Sequence, residues 1–327
     1  MADWDYIIIG SGSAGSALAY RLGEDGSKRI LVLEFGGTDA GPFIQMPAAL
    51  SYPMNMKTYD WGYQAEPEPG LGGRRLVCPR GKVIGGSSSI NGMIFVRGHA
   101  LDYQHWSDQG ASGWDYASVL PYFRRMENSA ALRDGSSDGS FRGGDGPLHV
   151  TRGKRDNPLH QAFVEAATEA GYHATPDYNG QRQEGFGPAD MTVWKGQRWS
   201  AANAYLKPAL RRGNVKLITR ARVDRILFDG KRATGVRWTR HGKVHEASVA
   251  AEVICAAGAI NSPQILQRSG IGPGALLQSH GITPLVARDG VGENLQDHLE
   301  VYFQVACLQP ITLYKYLNLY SKARIGL

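Results

Sequence analysis

The sequence has few cysteines and no long hydrophobic run. Cys78, Cys255 and Cys307 are its only cysteines, and their spacing fits neither a disulfide framework nor a zinc site, so we predict no bound metal. No segment reaches the ~18 consecutive apolar residues that a membrane helix requires. Because the first apolar run starts almost at Met1, we also expect no signal or transit peptide. These absences favour a cytoplasmic protein and leave peripheral contact with the inner face of the cell membrane open.

The chain also lacks a concentrated run of one charge, although it is basic overall. Its 36 basic and 30 acidic residues give a net charge of +6. The densest basic pairs, such as Arg124-Arg125, stand among apolar or acidic neighbours, which is typical of solvated surface. We therefore expect no nucleic-acid partner. Apolar residues make up 42% of the chain, which excludes wholesale disorder.

Glycine, in contrast, is abundant, with 42 of 327 residues, and three glycines near the start follow an apolar run. Tyr6–Ile9 is that run, and Ile30–Leu33 is a second one that ends at Glu34. Between the two runs, apolar residues recur at every fourth position, as in a helix. This segment is therefore predicted to form a strand–helix–strand unit.

The turn of this unit carries the motif Gly10-x-Gly12-x-x-Gly15. Its glycines allow a tight turn, close approach to a pyrophosphate and packing of the helix on the strand. The free N–H groups at the start of the helix attract phosphate. Glu34 lies 19 residues after Gly15, near the ~20 expected for an acid that accepts hydrogen bonds from the adenosine ribose. The motif predicts a dinucleotide site but leaves NAD and FAD open.

A second glycine- and serine-rich loop favours one of these cofactors. Residues 80–93 read RGKVIGGSSSINGM and offer small side chains and free N–H groups to a flat or anionic ligand. Lys82 in this loop would neutralise phosphate charge. A nicotinamide enzyme does not need such a second element, whereas a flavin enzyme must cover the isoalloxazine ring and leave its N5 atom exposed. The loop therefore favours FAD.

Further elements are predicted along the rest of the chain. Residues 128–147, rich in Gly, Ser and Asp, are predicted to form a surface loop. One helix is predicted from Asn157 to Gly171, and another is predicted to open at Ser262. Antiparallel strands are predicted at Val215–Thr219, Val223–Phe228 and Thr234–Thr239.

Three segments resemble the glucose–methanol–choline (GMC) oxidoreductases. Residues 81–97 are similar to the first signature of this family, and residues 258–272 are similar to the second at every constrained position. Residues 291–298, VGENLQDH, resemble a third block, so the resemblance covers nearly the whole chain. It implies an α/β fold, with a Rossmann-like FAD-binding domain of the GMC type and part of an α+β substrate-binding domain.

The resemblance also implies how the chain divides. The FAD-binding domain would take residues 1–150 and 208–300, and the substrate-binding domain would take residues 151–207 and begin again at 301–327. The catalytic His of the family lies near the C-terminus of a much longer chain, so no catalytic residue is assigned here. We expect an N-terminal portion of such an enzyme, inactive by itself.

Most of the motif residues are assigned to FAD by the resemblance. Positions 10–34 would hold the AMP half, 85–87 the flavin or pyrophosphate, 91–94 the isoalloxazine ring, 223 the adenine and 257–258 the phosphates. The complete set is Gly10, Gly12, Ser13, Ala14, Gly15, Glu34, Lys82, Gly85, Gly86, Ser87, Asn91, Gly92, Met93, Ile94, Val223, Ala257 and Gly258. Some members attach the flavin covalently through a histidine in the second loop. Ile90 occupies that position here, so FAD is expected to be bound non-covalently.

Within the family, the chain resembles most the members that oxidise choline. In those members a glutamate at the position of Glu300 faces the trimethylammonium group, and an aromatic residue matched by Trp61 packs on it. Carboxylates and aromatic faces are the groups that bind a quaternary ammonium. The resemblance thus implies oxidation of choline, a small-molecule alcohol, to betaine aldehyde, with hydride transfer to flavin N5 and an electron-transport acceptor. Oxidation of other primary alcohols and a non-catalytic flavin-binding fragment stay open as alternatives.

Overall fold

The structure of the chain is a computed structural model, which describes residues 2–153, 156–298, 302–316, 318 and 320–321. It divides the chain into two compact units. The first unit comprises Met1–Gln45, Ala49–Asn91 and Ser200–Glu300, and the second comprises Met46–Ala48, Gly92–Trp199 and Val301–Leu327. The main boundaries therefore fall at 91/92 and 199/200, whereas the resemblance implied boundaries at 150/151 and 207/208. Which unit serves which function stays a prediction.

The described residues form mostly short strands and helices. The strands are β1 Trp4–Ile9, β2 Ile30–Leu33, β3 Tyr63–Gln64, β4 Val77–Cys78, β5 Glu127–Ser129, β6 Leu148–Arg152, β7 Asp190–Met191, β8 Val193–Trp194, β9 Gln197–Arg198, β10 Val215–Ile218, β11 Arg222–Asp229, β12 Arg232–Arg240, β13 Lys243–Cys255, β14 Ile271–Gly272 and β15 Val286–Ala287. The α-helices are α1 Ser13–Leu22, α2 Pro42–Gln45, α3 Ala100–Asp108, α4 Tyr116–Met126, α5 Ala130–Arg133, α6 Pro158–Glu169, α7 Lys207–Leu210, α8 Gly258–Arg268 and α9 Gly274–Ser279. Short 3-10 helices cover Pro47–Ala49, Pro53–Asn55, Pro69–Leu71, Gly86–Ser89 and Leu313–Tyr316, and Ala202–Leu206 forms a π-helical turn.

A six-stranded sheet organises the first unit, in the order β10-β2-β1-β13-β12-β11. Strands β10, β2, β1 and β13 run parallel, and β13, β12 and β11 continue the sheet as an antiparallel meander. Ile9 at the end of β1 pairs in register with Leu33 of β2 and with Cys255 of β13. The carboxyl ends of three strands therefore meet at one edge, where parallel sheets of this type bind their ligands.

Buried side chains cover both faces of this sheet. Strand β2 is buried at all four positions, as expected for a parallel strand covered on both sides. One face is filled by Ile7, Ile9, Leu31, Leu33, Val236, Val249 and Ile265, and the other by Ile8, Ala19, Ile30, Val32, Ala209 and Val215. Because α1 and α7 supply Ala19 and Ala209 while α8 supplies Ile265, the helices hold the sheet from opposite sides.

Two predicted elements of the first unit differ from the structure. The strand predicted at Val215–Thr219 does not join the antiparallel meander; β10 instead pairs parallel with β2, Val215 opposite Ile30. The apolar run alone could not distinguish these pairings, since both bury it. The helix predicted to open at Ser262 begins earlier, at Gly258. Ser262 accepts a hydrogen bond from the backbone N–H of Ala257 and so supports the preceding turn from inside the helix.

The second unit combines a three-stranded sheet, β5-β6-β7, with the β8-β9 hairpin and helices α3 to α6. The helix predicted after Asn157 is confirmed, because α6 starts at Pro158 and the Asn157 side chain accepts a hydrogen bond from Leu159 N–H. The prediction of a plain surface loop at residues 128–147 is wrong. This segment contains the end of β5 and α5, and it buries Arg142.

Arg142 is the centre of a buried ionic cluster within the second unit. Its guanidinium pairs with Glu127 at 2.9 Å, with Asp190 at 2.9 Å and with Asp177. Arg97 also pairs with Glu127, at 2.6 Å. Composition predicted a surface loop here because it gave no sign of this cluster: apart from Arg142, its charged residues lie outside residues 128–147.

None of the helices formed by the described residues is both long enough and apolar enough to span a bilayer.

Candidate cofactor site

The first glycine motif forms the turn between β1 and α1. Gly10 has φ +97° and Gly12 is the N-cap residue of α1, with no side chain closing the first turn of the helix. A helix start without a side-chain cap leaves backbone N–H groups free for an anion. Gly15 lies under this turn, where an added Cβ would collide with the carbonyl oxygen of Gly10. The motif therefore presents backbone N–H groups at the ligand edge of the sheet.

Glu34 follows β2 at the same edge and is almost fully buried. Its carboxylate accepts hydrogen bonds from the N–H and the hydroxyl of Ser11, at 2.9 and 2.8 Å, and from Gly36 N–H at 2.7 Å. Burial raises the pKa of this carboxyl, and the three hydrogen bonds oppose that rise. The acid is thus oriented beside the glycine turn, where an adenosine ribose would be bound.

The second glycine loop touches the first one, backbone to backbone. Gly86 has φ +55°, and a Cβ added there would lie 2.7 Å from the Cα of Gly12. Gly85 N–H donates to the carbonyl oxygen of Ser11 at 2.8 Å. No side chain fits between the two loops, so a ligand at this place meets backbone from both motifs.

A second helix start opens at the same place. Helix α8 begins at Gly258 after the N-cap Ala257, which has no side-chain cap bond. Gly258 has φ +87°, and an added Cβ there would meet nothing within 4 Å. Two helix N-termini, those of α1 and α8, therefore face one cleft, and their combined dipoles suit a diphosphate.

These elements enclose a cleft of about 480 Å³ in the first unit. Eleven of the predicted residues line it: Gly10, Gly12, Ser13, Ala14, Glu34, Trp61, Gly86, Ser87, Val223, Ala257 and Gly258. Free N–H groups, a buried acid and a side-chain-free contact between glycines are what a dinucleotide requires. The residues present therefore fit the cofactor that the sequence predicts.

A sequence-family model described as GMC oxidoreductase matches residues 4–300. The chain belongs to the GMC oxidoreductase family. The resemblance inferred from the three sequence blocks is confirmed, and so is the fold class.

Curated and solved relatives agree with this assignment. The chain is 62% identical, over 322 residues, to a protein named oxygen-dependent choline dehydrogenase from Brucella anthropi. That match covers 98% of this chain and 58% of the relative, so the chain spans less than two thirds of the relative's length. Pyridoxine 4-oxidase from Mesorbium loti has a TM-score of 0.81 at 34% identity, covering 87% of this chain and 55% of that one. An FAD-dependent oxidoreductase from Chaetomium thermophilum has a TM-score of 0.82 at 31% identity, covering 88% and 51%.

Several predicted residues of this GMC chain lie outside the cleft lining. Of the predicted residues described in the first unit, these are Gly15, Lys82, Gly85 and Asn91. Gly92, Met93 and Ile94 belong to the second unit, where Met93 is buried with φ +64° and Ile94 is exposed. Glu300 falls outside the described residues. For all of these residues except Glu300, contact with the cofactor stays a prediction. For Glu300, contact with the substrate stays a prediction.

Arginines and aromatic side chains were missed by the sequence prediction. Arg80, Arg222 and Arg268 line the cleft, and so do Phe35 and Tyr63. Arg80 directly precedes the first family signature and Arg268 lies inside the second, and these positions were the available signal. Nothing in the sequence distinguished Phe35, whose place beside Glu34 depends on the end of β2.

Arg80 is held by the third sequence block of the family. Its guanidinium forms a 2.7 Å ion pair with Asp297, and that hydrogen bond lowers the pKa of the Asp297 carboxyl. Asp297 also accepts a hydrogen bond from His298 N–H at 2.9 Å. The block therefore lies beside the second glycine loop, at the cleft that Arg80 lines.

Proposed function

We propose that this chain carries the FAD site of an enzyme that oxidises choline to betaine aldehyde. The family relation gives FAD-dependent oxidation of an alcohol as the class of reaction. The observation that carries the proposal is the cleft, in which two uncapped helix starts and Glu34 surround the contact between Gly12 and Gly86. The finer choice of choline is supported by 62% identity to a protein named choline dehydrogenase.

The residues of the cleft bind and orient the cofactor. The N–H groups at the starts of α1 and α8 hold its diphosphate, and Glu34 accepts hydrogen bonds from the ribose. FAD, when bound, supplies the hydride acceptor at its N5 atom. Ile90 is buried with Ile44 and Val83 and has no nucleophilic atom, so we infer that FAD is retained without a covalent bond.

Substrate selection is assigned to Glu300. A carboxylate opposite the trimethylammonium group would fix the alcohol carbon, which is the positioning contribution to catalysis. The reaction also needs a base that takes the hydroxyl proton. The relatives are longer than this chain, and we propose that the base lies in the part of them that the chain does not span.

A comparison of charged and neutral alcohols tests the choice of choline. The holoenzyme with Glu300→Gln is expected to lose at least about tenfold in kcat/KM for choline, the size of one charge-assisted contact. Its turnover of 3,3-dimethylbutan-1-ol, the neutral isostere, should stay within about threefold of the parent. Equal losses for both alcohols, or none for choline, would contradict the assignment. FAD binding without reduction by any primary alcohol would instead favour a non-catalytic flavin-binding fragment.

The electron acceptor is proposed separately. We infer an electron-transport acceptor, and the relative's name, which states oxygen dependence, makes molecular oxygen the competing choice. Oxygen consumption during choline turnover, compared with turnover on an artificial quinone acceptor under anaerobic conditions, decides between them. Turnover that persists without oxygen supports the electron-transport acceptor, and turnover that stops without oxygen contradicts it.

A further inference from the structure

Four polar side chains of the first unit form a closed ring of hydrogen bonds. The Lys207 ammonium pairs with the Asp39 carboxylate at 2.8 Å and donates to the Asn203 side-chain oxygen at 2.7 Å. The Asn203 amide donates to the Gln45 oxygen at 3.1 Å, and the Gln45 amide donates to Asp39 at 3.1 Å. These four residues are called the polar ring below. They are all described by the structure, and none of them lines the cofactor cleft.

The ring compensates a buried charge. The Asp39 side chain is 1% exposed, whereas that of Lys207 is 38% exposed. A carboxylate buried to this degree is stable only when it is paired and hydrogen-bonded. Gln45 adds a hydrogen bond to the backbone carbonyl oxygen of Asp39 at 3.0 Å. The ring therefore fixes both the side chain and the backbone at position 39.

The segment around Asp39 supports the second glycine loop from one side. Gly37, two residues before Asp39, forms an isolated parallel bridge with Val83. Its carbonyl oxygen accepts a hydrogen bond from Ile84 N–H at 3.0 Å. A Cβ added at Gly36 would collide with the backbone nitrogen of Val83. The start of the loop is thus in direct backbone contact with the segment that the ring holds.

The other members of the ring belong to a segment that supports the loop from a second side. They lie in the π-helical turn Ala202–Leu206 and directly after it. Ala201 N–H donates to the Ser88 hydroxyl at 2.9 Å, and a Cβ added at Gly85 would lie 3.1 Å from the Cβ of Ala202. Such π-helical turns are rare and are frequent at functional sites. The ring therefore joins the two segments between which the loop is held.

We propose that the polar ring positions the second glycine loop for the cofactor, by tying together the two segments that hold this loop. Its members are positioning residues, because they act through the loop and not on the ligand. The proposal rests on the dinucleotide site described under the proposed function, since Gly86 and Ser87 of the loop line the cleft. Breaking the ring should loosen the loop and leave the sheet intact.

Hydrogen–deuterium exchange of the full-length apoprotein measures this support. Lys207→Met leaves Asp39 buried without its cation, so residues 36–45 should open locally to bring the carboxylate into water. Exchange in residues 36–45 and 83–89 should then rise, by at least about fivefold more than in β1 and β2. Lys207→Arg keeps a cation with several donors and should leave this exchange within about twofold of the parent.

Arg237→Met is the matched control. The Arg237 side chain is 39% exposed, close to the 38% of Lys207, but its partner Glu246 is itself 47% exposed. Removing this cation leaves no buried charge behind. Exchange in the two segments should therefore stay at the level of the parent.

Gln45→Met tests the ring through a second member, and it keeps the test decisive if Lys207→Met does not fold. The substitution removes hydrogen bonds to Asp39 and from Asn203 and leaves no charge unpaired. Exchange in the same two segments should rise by about twofold or more, but less than in Lys207→Met.

Titration of the apoproteins with FAD connects the loop to the cofactor. Lys207→Met should bind FAD about tenfold more weakly than the parent, because the loop is less organised before binding, and Lys207→Arg should stay within about threefold. A parent that binds no FAD contradicts the proposed function, whereas the exchange measurement still decides whether the ring supports the loop. The proposal is overturned if exchange rises equally throughout the first unit, if residues 83–89 do not respond, or if Lys207→Met binds FAD like the parent.

Discussion

The cofactor cleft of the first unit and the ionic cluster of the second unit both bury polar atoms, but they use them differently. In the cleft, two helix starts lack side-chain caps, and the buried acid Glu34 accepts hydrogen bonds from uncharged groups of Ser11 and Gly36. In the cluster, Arg142 is surrounded by three carboxylates of its own unit, and Glu127 binds two guanidinium groups. The helix starts of the cleft therefore leave backbone N–H groups available to a ligand, whereas the charged groups of the cluster bind one another and stabilise the second unit.

The physical cost of a mutation should differ accordingly. Removing one member of a buried ion pair leaves its partner charged and unsolvated, so the loss appears in stability. Changing a group whose role is to bind the ligand leaves the fold largely intact, so the loss appears in the affinity for the ligand. The following expectations, from the largest to the smallest, test this distinction.

The largest effect is expected at Glu127. Glu127→Ala deprives both Arg97 and Arg142 of their shared carboxylate and should lower the free energy of unfolding by about 3–5 kcal/mol. Urea denaturation followed by circular dichroism measures this loss. The matched control is Glu246→Gln, which breaks the exposed 2.6 Å pair with Arg237 and should cost ~1 kcal/mol or less. Similar losses for the two variants would refute the contrast between buried cluster and exposed pair.

A large loss of affinity is expected at Gly86. Gly86→Ala places a Cβ 2.7 Å from the Cα of Gly12 and strains a residue with φ +55°, which should weaken FAD binding by about 10- to 100-fold. Gly72→Ala is the control, because Gly72 has φ +65° but open space around its Cβ. It carries the backbone strain without the close contact. If both variants bind FAD like the parent, the two loops do not jointly form the site.

A pH-dependent effect is expected at Glu34. Burial raises the pKa of this carboxyl above its ordinary 4.5, so the folded apoprotein binds the proton more tightly than the unfolded chain does. Its contribution to stability is therefore complete below pH 4.5 and is lost as pH rises through the raised pKa. Glu34→Gln removes this dependence and should also weaken FAD about tenfold by removing the charged acceptor.

Melting temperatures of the two apoproteins, recorded from acid to neutral pH, measure the effect at Glu34. The parent should lose stability relative to Glu34→Gln as the pH rises. A difference between the two proteins that does not change with pH would show that the carboxyl is not perturbed by burial.

The smallest effect is expected at the exposed pair between Arg80 and Asp297. Their side chains are 35% and 62% exposed, so Asp297→Asn should cost ~1 kcal/mol or less, and high salt should reduce that cost further. Because Arg80 lowers the pKa of Asp297 below 3.8, the contribution is present above that pH and is lost as the pH falls through the lowered pKa. Melting temperatures of the parent and of Asp297→Asn, recorded at low and at high salt, measure the cost of losing the pair. A loss as large as that of Glu127→Ala would mean that the third block is part of the core.

Local sequence was sufficient for the first half of the cofactor site. The strand, the glycine turn and the helix at residues 4–22 are consecutive, and Glu34 ends the next strand, so spacing alone located them. The contact between Gly12 and Gly86 joins residues far apart in the chain, and only the fold brings them together. Spacing could not place Trp61 either, since its neighbours Phe35 and Lys82 come from other segments.

The sequence by itself determined the dinucleotide motif, the family and the cofactor class, because these depend on backbone conformations that short glycine patterns require. It also determined helix α6 through its Asn157 cap. The tertiary structure alone decided that β10 pairs with β2, that Arg142 is buried in a glycine-rich loop and that three aromatic rings line the cleft. The reason is physical: pairing, charge compensation and stacking depend on partners that are distant in the chain, and local propensity contains no information about them.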